Sequence, residues 1–313
     1  MEKFVILTDV TSDLSEEIRK YFGIDDYVHG HIHFSDGRDF QTQLDWAKIE
    51  RQDFYSALSD KHLKVSTAPA SPEEYYEKFR SYAERGYDVL SISVSAKISS
   101  TYEAARKAAE RVSKEFPERY IYALDSMRMS GALGLLCAYA HELQREGKSM
   151  REVIEWLETN KSRVHQMGPI DDLMVVARRG RISTGKAIMG SFAGVKPMGD
   201  CNADGYVTVL AKAKGMKKAL PATVAYIKEA ARSIEDQYIF IMHSDREAYA
   251  LTLKEMIENE LPAKKVFVSD VFCASGTNIG SGMICAYFLG DEISPECERE
   301  KQMMSRALES LRQ

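Results

Sequence analysis

The sequence predicts an α/β protein of two domains, the first doubly wound around a mainly parallel sheet, the second a mixed sheet with an added hairpin. Short β-branched runs alternate with long helical patterns, the sequence form of a layered α/β fold. At 313 residues the chain is also long for one hydrophobic core. A turn containing Asp204-Gly205, between Val195 to Met198 and Tyr206 to Leu210, reads as an antiparallel hairpin in the second half.

Taken in order, predicted strands run from Phe4 to Leu7, Val89 to Val94, Tyr120 to Leu124 and Tyr238 to Met242. Helix starts are marked by a serine three residues before a glutamate, at Ser71 and Glu74, Ser100 and Glu103, Ser149 and Glu152, and Ser244 and Glu247. Each pair predicts a capping box, in which both side chains satisfy otherwise orphaned N–H groups. The helix opening near Ser149 carries Val153, Ile154, Trp156 and Leu157 and precedes Gly168-Pro169, so the boundary is expected between about 155 and 170. The predicted units are residues 1–160 and 161–313.

Composition limits the function classes. With 44% hydrophobic and 28% charged residues, the chain is an ordinary globular one. A net charge of −5 argues against a broad nucleic-acid surface. The start, Met1 through Phe4, Val5, Ile6 and Leu7 to Asp9, lacks the features of a secretory signal. The longest nearly apolar run, Gly131 to Ala140, falls far short of the ~20 residues of a membrane span. Five cysteines without a CxxC pair fit reduced thiols, and a cytoplasmic location is expected.

Three polar turns carry the chemistry, each read as lying where a strand ends and a helix begins, the edge at which open α/β sheets bind ligands. They are Thr8-Asp9-Val10-Thr11-Ser12-Asp13-Leu14, Ser66-Thr67-Ala68-Pro69-Ala70-Ser71-Pro72 and Ser95-Ala96-Lys97-Ile98-Ser99-Ser100-Thr101-Tyr102. Hydroxyls and helix N-terminal amides at such turns suit an anionic head group, and they also suit plain helix capping.

In this order, with Leu124-Asp125-Ser126, Arg179-Gly180-Arg181-Ile182-Ser183, Val195-Lys196-Pro197-Met198 and the glycine-rich Asn278-Ile279-Gly280-Ser281-Gly282, the turns resemble the DegV family over nearly the whole chain. The resemblance implies a non-catalytic carrier without a cofactor. It would hold one long-chain fatty acid, carboxylate at the domain junction and acyl chain in an apolar tunnel, for a separate fatty acid kinase. Thr67, Ser99 and the Ser100 amide would bind the carboxylate, with Asn278 beside them and Asp9, Thr11 and Ser12 as a supporting turn. Arg181, Lys214 and Lys217 would serve partner docking. The chain departs from the family pattern at Val10, Ala96 and Ser100, and at Asn278 and Ser281, where relatives carry His and Pro. Lys214 stands where relatives tend to carry Arg.

Two other readings compete, both enzymatic. Gly180 to Lys186 nearly spells a phosphate-binding loop, but Ala187 follows where a hydroxyl must reach Mg²⁺, and the segment before it makes a poor buried strand. His29, His31 and His33 at period-two spacing would share one strand face, a possible metal site. Side chains on one face diverge, however, and zinc usually draws ligands from several segments.

Overall fold

The structure, a computed structural model, describes residues 3–182 and 194–311. The chain begins with β1 (Phe4–Asp9), α1 (Glu16–Phe22), β2 (Tyr27–Val28), β3 (His31–Phe34), β4 (Asp39–Gln41), α2 (Arg51–Ser59) and β5 (Val65–Ala68). It continues through α3 (Pro72–Ala83), β6 (Asp88–Ser93), α4 (Thr101–Glu115), β7 (Ile121–Asp125), α5 (Gly131–Arg145) and α6 (Met150–Asn160). Next come β8 (Val164–Pro169), α7 (Met174–Arg178), β9 (Val195–Cys201), β10 (Val207–Lys214), α8 (Met216–Ala230) and β11 (Tyr238–His243). The last elements are α9 (Glu247–Glu260), β12 (Lys265–Asp270), α10 (Cys273–Ile279), β13 (Ile284–Leu289) and α11 (Glu298–Ser310).

One sheet, ordered β2-β1-β6-β7, is parallel throughout. The larger sheet, β10-β9-β8-β13-β11-β12, is parallel only between β11 and β12, and the β9–β10 hairpin closes one edge. β6 and β11 are buried along their whole length, and β11, Tyr-Ile-Phe-Ile-Met-His, accordingly reads as an apolar run and not as an alternating strand.

Sheets and helices stack in five layers. Tyr75 and Phe79 of α3 and Ala105 and Val112 of α4 cover one face of the parallel sheet. Between the two sheets lie α1, α5 and α6, whose Phe22, Leu133, Leu136 and Leu157 share a core with Ile6, Leu90, Phe240 and Tyr287. Leu220 of α8, Leu253 of α9 and Met304 of α11 cover the far face of the larger sheet. The apolar Gly131 to Ala140 run therefore belongs to a helix buried on nearly all sides. Gly131 lets it lie close, since a Cβ there would stand 2.5 Å from the Tyr287 ring.

Two of the four expected capping boxes form, at Ser71 with Glu74 and at Ser149 with Glu152. The other two do not. At α4 the Ser99 hydroxyl, not that of Ser100, accepts the Thr101 amide, at 3.3 Å. Ser244 instead accepts the Met283 amide at 2.8 Å, because β13 brings that donor to it from across the fold.

A third, antiparallel sheet, β4-β3-β5, was not expected. Ser66, Thr67 and Ala68 lie in its strand β5 and not in a turn, paired with His33, Ile32 and His31. The pairing partner is more than thirty residues away in sequence, and strands this short carry little periodicity of their own. Among the described residues no helix is long and apolar enough to cross a membrane.

Candidate functional site

A cavity of about 420 Å³ opens beyond the C-terminal ends of β1 and β6. Its walls come from both halves of the chain: β5 and the start of α4 on one side, α10 and the β9–β10 hairpin on the other. Thr67, Ser99, Ser100, Asn278 and Arg181 supply polar groups. Ile170, Leu173, Val176, Val207, Val209 and Met283, which pack as one small apolar cluster, line it as well.

The polar end is assembled from three elements. β5 presents Thr67, whose Oγ1 accepts a hydrogen bond from Asn278 Nδ2 at 3.2 Å. α10 carries Asn278, and the same nitrogen donates to the Ala274 carbonyl at 3.1 Å. Ser99 and Ser100 sit at the start of α4, where Ser99 Oγ lies 2.7 Å from Thr101 Oγ1. The Ser95 carbonyl accepts the amides of Ile98 and Ser99, and the Ser95 hydroxyl donates to the Gly205 carbonyl at 3.1 Å. That turn is thereby pinned to the tip of the β9–β10 hairpin. Among the described residues the Ser100 amide has no partner, so it joins the first-turn amides of a fifteen-residue helix as a free donor.

Asp9 and Thr11 support this edge from below. The Asp9 carboxylate accepts the amides of Thr11 and Val94, both at 2.9 Å, and the Thr11 hydroxyl, tying the end of β1 to that of β6. Burial raises its pKa, against the lowering effect of these bonds. Ser12 is fully buried, and among the described residues its hydroxyl has no hydrogen-bond partner. Asp13, also buried, accepts from Ser130 Oγ at 2.6 Å and the Phe272 amide at 3.0 Å, and burial pushes its pKa up to about 7. It joins three segments that line the cavity, the β1 turn, the start of α5 and α10.

Arg181 belongs to the cavity: Nε donates to the Ile98 carbonyl at 3.2 Å, beside Ser99. Arg179 reaches β5 in the same way, donating to the Val65 carbonyl at 2.8 Å. Lys214 and Lys217 lie elsewhere, exposed along a second groove with Lys196 and Arg246, which both pair with Asp171.

The histidine constellation does not assemble among the described residues. His29 precedes β3 and its Nδ1 donates to the Thr42 carbonyl at 2.8 Å, so only His31 and His33 share a strand face. Those two rings stack 6.5 Å apart, and each meets its own carboxylate, Glu74 at 2.8 Å and Asp39 at 2.7 Å. No group of three ligating side chains suited to a metal occurs among the described residues. Of the Gly180 to Lys186 segment, residues from Ser183 onward, with Ala187, lie outside the described residues. What precedes it is helix α7, not the strand that a phosphate-binding loop requires.

A family model described as an uncharacterised protein of the DegV family matches residues 3–290. The chain belongs to the DegV family. A DegV domain-containing protein of Clostridium perfringens is 32% identical over 295 residues, covering 94% of this chain and all of that one. Another, from Caldanaerobacter subterraneus, is 28% identical, covering 92% and 99%. Among solved structures, one described as fatty acid binding of a DegV family protein from Thermus thermophilus matches with a TM-score of 0.81 at 25% identity, covering 92% and 99%. DegV of Bacillus subtilis, described as a fatty acid binding protein, matches with a TM-score of 0.76 at 22% identity over 93% and all of the two chains, a likeness that shows the fold.

In this DegV-family chain the residues read from the three motifs, Thr67, Ser99, Ser100 and Asn278, line one cavity. Sequence reasoning missed the cavity role of Arg181 and the apolar wall from Ile170 to Val176. A signal for the wall was present, since Ile170, Leu173 and Val176 fall at helical spacing just ahead of the Arg-Gly-Arg motif.

Proposed function

We propose that the chain binds one long-chain fatty acid and catalyses nothing itself. The observation that carries this reading is a cavity in which a hydroxyl- and amide-rich edge meets an apolar wall. The carboxylate accepts hydrogen bonds from Thr67, Ser99 and the Ser100 amide, with the α4 N-terminus and Arg181 supplying positive potential. The acyl chain runs along Ile170, Leu173, Val176, Val207, Val209 and Met283. Burying about fifteen methylenes at ~0.8 kcal/mol each supplies roughly 12 kcal/mol of gross driving force, enough to outweigh ordering costs.

In the same reading residues 1–160 and 161–313 are the two domains, with the head group at their junction. The bound acid is presented to a separate fatty acid kinase, for which the exposed Lys214 and Lys217 groove offers a docking surface distinct from the ligand cavity. The site has a donor set for a carboxylate, which favours a carrier.

Mass spectrometry of lipid extracted from protein purified without detergent tests this. About one fatty acid per chain is expected. A lipid-free preparation that also fails to take up palmitate or oleate would refute it.

A further inference from the structure

Gln166 is a polar side chain of the cavity that the carboxylate-binding edge leaves unused. Along β8, His165 and Met167 face the α8 layer, where His165 meets Tyr226 at 3.1 Å and Met167 joins the core beneath α8. Val164 and Gln166 therefore point the other way, into the layer between the sheets, and Gln166 lines the cavity. An apolar residue would fit that position by pattern.

Gln166 is only 7% exposed, and its Oε1 has no hydrogen-bond partner among the described residues. A buried carboxamide left unsatisfied is costly, so its partner must arrive from elsewhere. The neighbouring polar groups do not provide it. Ser130, also on the cavity wall, gives its hydroxyl proton to Asp13 at 2.6 Å. Tyr287 stands opposite Gln166 in the β8–β13 register, and no hydrogen bond joins their side chains among the described residues.

We infer that Gln166 is a second polar subsite of the cavity, which recognises an oxygen substituent on the acyl chain, so that the ligands it favours are hydroxylated long-chain fatty acids. A hydroxyl tethered to a bound chain can donate to Oε1 without the separate immobilisation cost of a water. The subsite belongs to the larger sheet, whereas Thr67 and Ser99 stand on β5 and at the start of α4, so one extended ligand can touch both. The inference rests on the fatty acid reading above.

Competition binding to delipidated protein tests it, with stearic acid against a series of hydroxystearic acids in which the hydroxyl moves along the chain. Wild type is expected to bind at least one hydroxystearate as tightly as stearate or more so. Gln166→Leu should weaken that ligand about tenfold while leaving stearate unchanged or tighter. Gln166→Met gives the same comparison if the leucine variant does not fold. The inference is overturned if the hydroxystearate to stearate ratio is the same in wild type and variant, including the case where both acids weaken equally. Wild type that binds neither acid would instead remove the fatty acid reading on which this one stands.

Discussion

Asn278 Nδ2 donates to Thr67 Oγ1 at 3.2 Å, joining α10 in the second half of the chain to β5 in the first. A hydroxyl that accepts from an amide keeps its own proton for another acceptor, and Thr67 lines the cavity. Asn278 thus sets the direction in which Thr67 donates.

Thr67→Val is expected to weaken fatty acid binding about tenfold, the scale of a hydrogen bond to a charged group, while a fatty alcohol loses much less. Asn278→Ala should produce part of the same loss, and the double variant should bind no worse than Thr67→Val alone, because both act through one hydroxyl. Asn278→His retains a donor and gains charge below about pH 6.5, so binding should recover and strengthen as pH falls relative to wild type titrated alongside. Calorimetric titration of the four variants and wild type decides it; additive losses would separate the two residues.

Arg181 is expected to contribute through charge. Arg181→Gln should lower affinity for the acid about tenfold and leave the alcohol nearly unchanged. Raising salt should narrow the difference between wild type and variant only modestly, since partly buried pairs are screened less than exposed ones. Equal losses for acid and alcohol would assign Arg181 to holding the Ile98 carbonyl alone.

Much of this site was legible because local chemistry set it. Asp9, Ser99 and Ser100 lie within a few residues of strand ends and helix starts that apolar runs and hydroxyls announce. Thr67 was identified as a site residue but misplaced in a turn, because its strand exists only through pairing with His31 to Phe34. Ser244 failed as a cap for a similar reason: a donor from β13, invisible to local spacing, claims its hydroxyl. Gln166 carries no motif at all. Its meaning depends on which face of β8 meets the cavity, a fact of sheet packing.

The buried α5 gives a stability test. Gly131→Ala would place a methyl 2.5 Å from the Tyr287 ring and 2.8 Å from Met242, and Tyr287 is only 1% exposed. Overpacking this buried ring should cost about 1–3 kcal/mol. Urea denaturation should show a lower midpoint with an unchanged slope.

Asp13 makes stability depend on pH in a direction opposite to that of a salt-bridged carboxylate. Burial raises its folded pKa to about 7 despite the bonds from Ser130 and the Phe272 amide, whereas an unfolded aspartate titrates near 3.9. Between those values the folded state holds a proton that the unfolded state has released. The contribution is therefore fully present below about pH 4 and is lost as pH rises through about 7. Asp13→Asn keeps the shape and an acceptor oxygen but does not titrate. Its unfolding free energy minus that of wild type, from urea denaturation at each pH, should rise across this interval and level off above it, at about 1.4 kcal/mol for each unit by which the two pKa values differ. Other titrations largely cancel in the difference. A flat difference from acid to neutral pH would mean that Asp13 ionises at its ordinary value, with the three cavity segments it joins relaxing around its charge.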